Sequence, residues 1–384
     1  MPTYRQSRPV PAIEPAAVGP VLRRVSAWPR RRRLVTIGVL GLMALVVGIS
    51  LAFLGFGGRA RVMASYRPPP FIPFPADNPF TAAKADLGRA LFFDKRLSGS
   101  QTTACGSCHQ PERGWTDGQP RAIGDGGREM DRRAPSLIDI AWLPALGWDG
   151  KFPDIEAVTF GAITSHGNMN LSKPEALARV SSDPAYVRAF AAIFPDHKIS
   201  AANVAAAIAT FERLIVSIPN SPFDRWIAGD ENAISQAAKR GFDLFNGRAH
   251  CSGCHSGWTF TDGSFHDVGS ATGTDIGRGQ YFPASQGLQY AFKTPTLRGV
   301  TQRGPYMHDG SVKSLADVIA LYNRGGIARP SRAALIGPLH LTPDQQADLL
   351  AFLETLSGPT SSSDQPPVPI GSPSITGQEG TEKR

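Results

Sequence analysis

Cysteine is scarce in this chain, with four in 384 residues. So few exclude a disulfide-dense scaffold, and the length is enough for two medium domains with cores of their own. Acidic residues are nearly missing from one region. Residues 1–33 hold eight arginines and a single acid, Glu14, so this tail supplies +7 of the formal net charge of +8. The rest of the chain is close to neutral, which excludes the basic folded face that nucleic acid requires; no nucleic-acid partner is expected. Charge of either sign is absent from residues 34–57, LVTIGVLGLMALVVGISLAFLGFG. At about 1.5 Å per residue this run spans a hydrocarbon core. Arginines on its N-terminal side predict a cytoplasmic tail at 1–33, with the remainder on the other side. The expectation is a periplasmic protein anchored to the inner membrane by an N-terminal helix; the alternative is a cleaved export signal.

Strand signals are also sparse. A Pro-rich linker is expected over 58–77, a first globular domain over 78–219, a second over 220–358, and a disordered tail over 359–384, where Ser, Pro and Gly show no apolar period. Helical patterning predicts helices over 201–216 and 235–246, over 314–323 with a stripe of Leu315, Val318, Ile319 and Tyr322, and over 342–357 behind Thr342. Residues 134–158 align without a gap on residues 294–318. Pro135 meets Pro295, Leu137 meets Leu297, Asp149-Gly150 meets Asp309-Gly310, and Val158 meets Val318. A period of 160 residues means duplicated domains rather than a solenoid. The fold class is mainly α: two copies of one domain with long loops, behind an N-terminal transmembrane helix.

All four cysteines fall in two Cys-x-x-Cys-His units, Cys105/Cys108/His109 and Cys251/Cys254/His255, each followed by Thr-Asp-Gly at 116–118 and 261–263. Such a unit attaches a c-type haem: two thiols add to the two vinyl groups and the adjacent histidine becomes the proximal iron ligand. Zinc would need four ligands per site, and these pairs are far apart in sequence. Two covalent haems are therefore expected, one per copy. A haem with two protein ligands moves electrons, and one with an open position binds peroxide or dioxygen.

The succession CGSCH, RRAPSL, GWDGK, SPFDRW, CSGCH, FKTPTLRGV and PYMHDGS resembles the bacterial dihaem cytochrome c peroxidase family, including its MauG-like branch, over residues 78–358. The resemblance implies that the N-terminal haem is the peroxide site and that the C-terminal haem stores and relays the second oxidising equivalent. It implies that Trp148 lies between the haems and that His266 reaches a haem propionate. His308 is the repeat counterpart of Trp148. Two residues are candidate sixth ligands of the C-terminal haem, Tyr322 and Met307. Tyr322 is preferred, because its spacing after His308 carries tyrosine in the MauG-like branch and methionine in the classical peroxidases.

Several positions depart from the family pattern. Its capping histidine, within Ile-Gly-His-Gly, is replaced in Ile123-Gly124-Asp125-Gly126, so the resemblance implies an N-terminal iron that is open without prior reduction. Asp125 is read as a loop residue before a ligand. The distal glutamine and glutamate fall at Val158 and Asn168. Asparagine cannot accept the proton that peroxide cleavage releases, so His166 is the candidate replacement base, with a solvated loop histidine as the plain alternative. The candidate catalytic residues are thus Trp148, His166, Asn168 and Asp125. The family's interhaem calcium has its asparagine ligand at Arg133 and the matching threonine at Arg303. Two arginines repel Ca²⁺, so calcium is not expected, and a guanidinium is expected near that place, paired with haem propionates or acids. Three functions follow. The first is reduction of hydrogen peroxide with electrons from a small cytochrome c or cupredoxin. The second is MauG-like oxidation of aromatic residues in a partner protein. The third is a membrane-tethered electron carrier without enzymatic activity.

Overall fold

Nine helices carry most of the regular structure of residues 61–360, the part of the chain described by the computed structural model. They are α1 (Ala82–Phe92), α2 (Ile155–Ile163), α3 (Lys173–Ser181), α4 (Pro184–Ile193), α5 (Ala201–Arg213), α6 (Pro222–Ile227), α7 (Gln236–Asn246), α8 (Leu315–Arg324) and α9 (Pro343–Glu354). Every one of them begins behind a Ser, Thr or Asp whose side chain accepts an N–H of the first turn: Thr81, Asp154, Ser172, Asp183, Ser200, Ser221, Ser235, Ser314 and Thr342. Each cap is worth about 1 kcal/mol, which matters for helices this short. The described strands are β1 (Phe265–His266) and β2 (Phe292–Lys293), which pair antiparallel with Phe265 opposite Lys293. Two shorter helical segments, at residues 61–65 and Cys105–Cys108, isolated 3₁₀ turns and long loops fill the remainder.

The chain is mainly helical and has two hydrophobic cores. The first gathers Leu91, Phe92, Trp115, Ile138, Phe190 and Phe211. The second gathers Tyr66, Phe223, Trp226, Phe242, Phe260 and Phe352. The two cores are built alike. In the first, α1 crosses α5 where Gly88 meets Ala207; in the second, α7 crosses α9 where Gly241 meets Asp348. A Cβ on either glycine would overlap the facing carbonyl, so the close backbone approach requires glycine at both places. In each half the glycine-bearing helix precedes the Cys-x-x-Cys-His unit, so the duplication reaches further upstream than the aligned segment.

Three sequence expectations shift, the simplest being the helix expected over 342–357, which runs over Pro343–Glu354. The helix expected over 201–216 stops at Arg213, because the next residues are used elsewhere: Ile215 O accepts from Asp139 N at 2.9 Å, and Ser217 N donates to the Asp139 carboxylate at 2.8 Å. Within the stretch read as a linker, residues 61–65 are helical and Tyr66 is buried in the second core, stacked on Phe260 at 4.6 Å with its hydroxyl donating to Asn246. An aromatic ring that can bury its face and satisfy its hydroxyl gains more by packing than by remaining in a solvated linker. Among the described residues no helix is long and apolar enough to cross a membrane. Of the tail expected over 359–384, Pro359 and Thr360 are ordered against Ile218 and Ser217; the tail from 361 and the apolar run at 34–57 lie outside the described residues.

Glu212 on α5 is buried in the first core, and burial pushes its carboxyl up to about 8. The unfolded chain loses this proton near the ordinary glutamate value, about 4.3, while the folded chain keeps it. Unfolding is therefore favoured progressively as pH rises from there to about 8, and not further above it. Glu212→Gln should remove that dependence. The melting temperature of the variant is expected to gain on the unsubstituted protein between pH 5 and pH 8; parallel curves would contradict the assignment.

Candidate functional site

Each Cys-x-x-Cys-His unit is a single tight turn that brings its histidine back over its first cysteine. His109 N donates to Cys105 O at 3.0 Å, and His255 N donates to Cys251 O at 2.9 Å. Both imidazoles are then fixed in the same way. His109 Nδ1 lies 3.1 Å from Trp115 O, and His255 Nδ1 lies 2.9 Å from Phe260 O. A carbonyl only accepts, so Nδ1 carries the proton and Nε2 keeps its lone pair for a metal. The two carbonyls are turned inward by left-handed backbone at Trp115 (φ 60°) and Phe260 (φ 53°), two large aromatic side chains buried in their respective cores. Burial holds both histidines below the usual range, so they are neutral, as iron ligation requires.

The four cysteines are unpaired, and burial pushes the Cys108 thiol up to about 11 and the Cys251 thiol up to about 12. The cluster of Cys254, Asp262 and His266 brings three ligand-type atoms within 4.8 Å of one another. Its cysteine belongs to the haem attachment unit, and His266 Nε2 is paired with Asp262 at 2.7 Å, so the cluster orients His266 beside the unit.

A cavity of about 230 Å³ opens onto the second unit. It brings together Cys251, Cys254 and His255 with Tyr322, Met307 and His266, and Trp148 and Arg133 reach its wall from the first half of the chain. Most of the remaining wall is apolar. Tyr322 projects from α8, and its hydroxyl has no hydrogen-bond partner among the described residues, whereas Tyr66, Tyr186 and Tyr306 donate to Asn246, Asp94 and Val300 O. Burial, then the nearby Cys251 and Cys254, push the Tyr322 phenol well above the usual tyrosine range. Arg133 Nε is buried without a partner, and neither Arg133 nor Arg303 forms an ion pair among the described residues. An apolar cavity with two thiols, a neutral histidine, an unpartnered phenol and a guanidinium that forms no ion pair fits a haem, which brings vinyl groups, iron and carboxylates.

Trp148 is held from both halves. Its Nε1 donates to Arg133 O at 3.0 Å, and its carbonyl accepts from Lys293 N at 2.7 Å. The turn that carries it is fixed by Asp149, which pairs with Arg132 at 2.7 Å and accepts from Gln280 at 2.6 Å. His308, its repeat counterpart, meets the same residue from the other side: its carbonyl accepts from Arg133 N at 3.0 Å, while its ring stacks on Phe292 with centroids 3.7 Å apart. Lys293, which sequence reasoning missed, is buried beside this turn with its Nζ donating to Ala145 O, and burial pulls it down to about 8. A charged residue inside the apolar stretch Tyr-Ala-Phe-Lys was the available signal.

The remaining candidates gather by the first unit. Cys108 Sγ contacts Ile123 O at 3.6 Å, so the Ile123-Gly124-Asp125-Gly126 loop lies against that unit. Asp125 N donates to Asn168 O at 2.6 Å, which joins the two candidate segments. The Asp125 carboxylate accepts from the Ser100 amide and hydroxyl and so ties the loop down. His166 is exposed, with Nδ1 2.8 Å from the Asn170 side-chain oxygen. Asp125 and Asn168 are thus brought together, and His166 is turned outward beside them.

Residues 82–232 match the family model described as di-haem cytochrome c peroxidase, and residues 238–357 match that of cytochrome c. The methylamine utilization protein MauG of Methylorubrum extorquens is 45% identical over 81% of this chain and 88% of its own. Cytochrome-c peroxidase IdrP1 of Denitromonas iodatirespirans is 35% identical over 76% of this chain and 85% of its own. The crystal structure of a MauG-like protein associated with microbial copper homeostasis superposes with a TM-score of 0.70 at 35% identity, covering 76% of this chain and 93% of that one. These likenesses span both Cys-x-x-Cys-His units, and the chain belongs to the dihaem cytochrome c peroxidase family, with two cytochrome c-type domains and two covalently attached c-type haems.

Proposed function

We propose that this periplasmic chain uses peroxide to oxidise aromatic side chains of a partner protein, with His109 holding an open haem iron and His255 and Tyr322 holding a closed one. The haems supply iron that changes oxidation state one electron at a time. The chain's own residues supply the asymmetry. The observation that carries the reading is Tyr322, which lines the cavity of His255 and whose hydroxyl has no hydrogen-bond partner among the described residues. Burial opposes ionisation of this phenol, so the charge would form only on binding iron; a phenolate there would stabilise higher oxidation states and suit storage of an oxidising equivalent, whereas a thioether would raise the potential and suit electron uptake. Trp148, fixed from both halves, is the conjugated group through which charge passes between the two sites. The relatives named MauG support the same reading. Reduction of peroxide at the expense of a small cytochrome c or cupredoxin is the competing activity.

Two measurements bear on this. Tyr322→Phe is expected to convert the low-spin electron paramagnetic resonance signal of the second haem to high spin while both haems stay attached; an unchanged low-spin signal would move the ligand to Met307, which lines the same cavity. Steady-state oxidation of a ferrous small cytochrome c by peroxide is expected to turn over below about 1 s⁻¹, against the ~10 s⁻¹ of a median enzyme on its own substrate. Turnover at or above that median would favour the donor-driven peroxidase.

A further inference from the structure

Arg133 is buried at the junction of the two halves, and its side chain crosses that junction. Its Nη2 donates to Arg303 O at 2.6 Å and its Nη1 donates to Pro305 O, both on the second half. Its own amide and carbonyl bond to His308 O and Trp148 Nε1. Arg303 lies against it, buried, with Nη2 donating to Thr296 O at 2.5 Å and Nε to Gly299 O at 3.3 Å. Backbone carbonyls are therefore collected around cations here; Asp117 acts on Arg133 and Asp139 on Arg303, but neither carboxylate forms an ion pair with them. Calcium asks for six to eight oxygen ligands and a concentration of negative charge. The family resemblance places calcium ligands at the positions of Arg133 and Arg303, and the residues present do not fit that ion. The carbonyl of Arg303 is already taken by a guanidinium, and any divalent cation at that oxygen would stand against two positive charges.

We propose that the Arg133 guanidinium is a tethered cation that takes the place of an interhaem calcium ion, joining the two halves through Arg303 O and Pro305 O, and that this protein works without calcium. A divalent ion binds by coordination and can be chelated or exchanged. A guanidinium carried on the chain cannot, and its planar fork meets two carbonyls at once. The bridge also fixes Trp148, whose indole N–H is held by the carbonyl of the same arginine.

The test uses the holoprotein, by elemental analysis for calcium, thermal melting and the rate of reaction with peroxide, before and after EGTA. The unsubstituted protein is expected to hold less than about 0.1 calcium per chain, with melting temperature and rate unchanged by EGTA within error. Arg133→Asn combined with Arg303→Thr, which removes both charges, is expected to acquire about one calcium per chain, to lose at least about tenfold in rate on chelation, and to regain it on adding CaCl₂. One calcium per chain in the unsubstituted protein, with melting temperature lowered by EGTA, would overturn the proposal. So would a protein with both Arg133→Asn and Arg303→Thr that keeps both haems, takes up no calcium and ignores EGTA. If the variant does not accumulate with both haems, calcium content and chelator response of the unsubstituted protein decide the matter.

Discussion

Replacing Cys105 and Cys108 together by alanine is expected to halve the covalently bound haem, from two to one per chain, and to slow the reaction with peroxide at least about a hundredfold. The converse pair, Cys251→Ala with Cys254→Ala, is expected to remove the same amount of haem and to leave the first encounter with peroxide within about threefold. The asymmetry follows from what surrounds each unit. Around His255 the cavity wall offers Tyr322 and Met307 as a second ligand. Against the His109 unit lies the loop Ile123-Gly124-Asp125-Gly126, whose carboxylate is already engaged by Ser100. Pyridine haemochrome spectra count the haems and stopped-flow absorbance gives the rates. Equal losses of rate in the two double variants would contradict unequal roles.

The second large effect concerns stability. Asp224→Ala is expected to cost about 3–5 kcal/mol, measured by denaturant unfolding of the holoprotein, because it leaves a buried guanidinium without its counter-charge. Asp224 performs two tasks. Its carboxylate caps α6 by accepting from the Ser221 amide and hydroxyl, and it pairs with Arg298 at 2.7 Å, where the two side chains are only 5% and 2% exposed. Arg298 in turn sits over Phe223 and Phe260 and donates to Trp258 O. This pair connects Ser-Pro-Phe-Asp-Arg-Trp to Thr-Pro-Thr-Leu-Arg, two stretches whose chemistry is structural. Asp224→Asn keeps part of the cap and should fall between the two. A loss below about 1 kcal/mol for the alanine variant would place the pair in solvent-like surroundings.

How much could be read from the sequence depended on the range of the interaction. Helix α8 was legible because Leu315, Val318, Ile319 and Tyr322 keep the helical period, with Ser314 and Gly325 as caps. Helix α2 was not, since Ile-Glu-Ala-Val-Thr-Phe-Gly-Ala-Ile is apolar nearly all round and carries no period. The haem units were legible because thiols and ligand lie within five residues. The placement of Tyr322 and Met307 in one cavity follows from helix and loop geometry that spacing could only suggest. His166 shows the converse: proximity to Asn168 in sequence says nothing of direction, and the chain turns its ring outward to Asn170. The Arg133 bridge was only half legible. Its charge conflict with calcium could be read, but the carbonyls it binds belong to residues 170 or more positions away.

In the proposed function the two duplicated haem sites differ, one open at His109 and one closed at His255. The electron paramagnetic resonance spectrum of the resting ferric protein, recorded before and after one equivalent of hydrogen peroxide, tests it most directly. One high-spin and one low-spin signal are expected, with the high-spin signal lost on adding peroxide. Two low-spin signals that peroxide leaves unchanged would contradict it and leave an electron carrier.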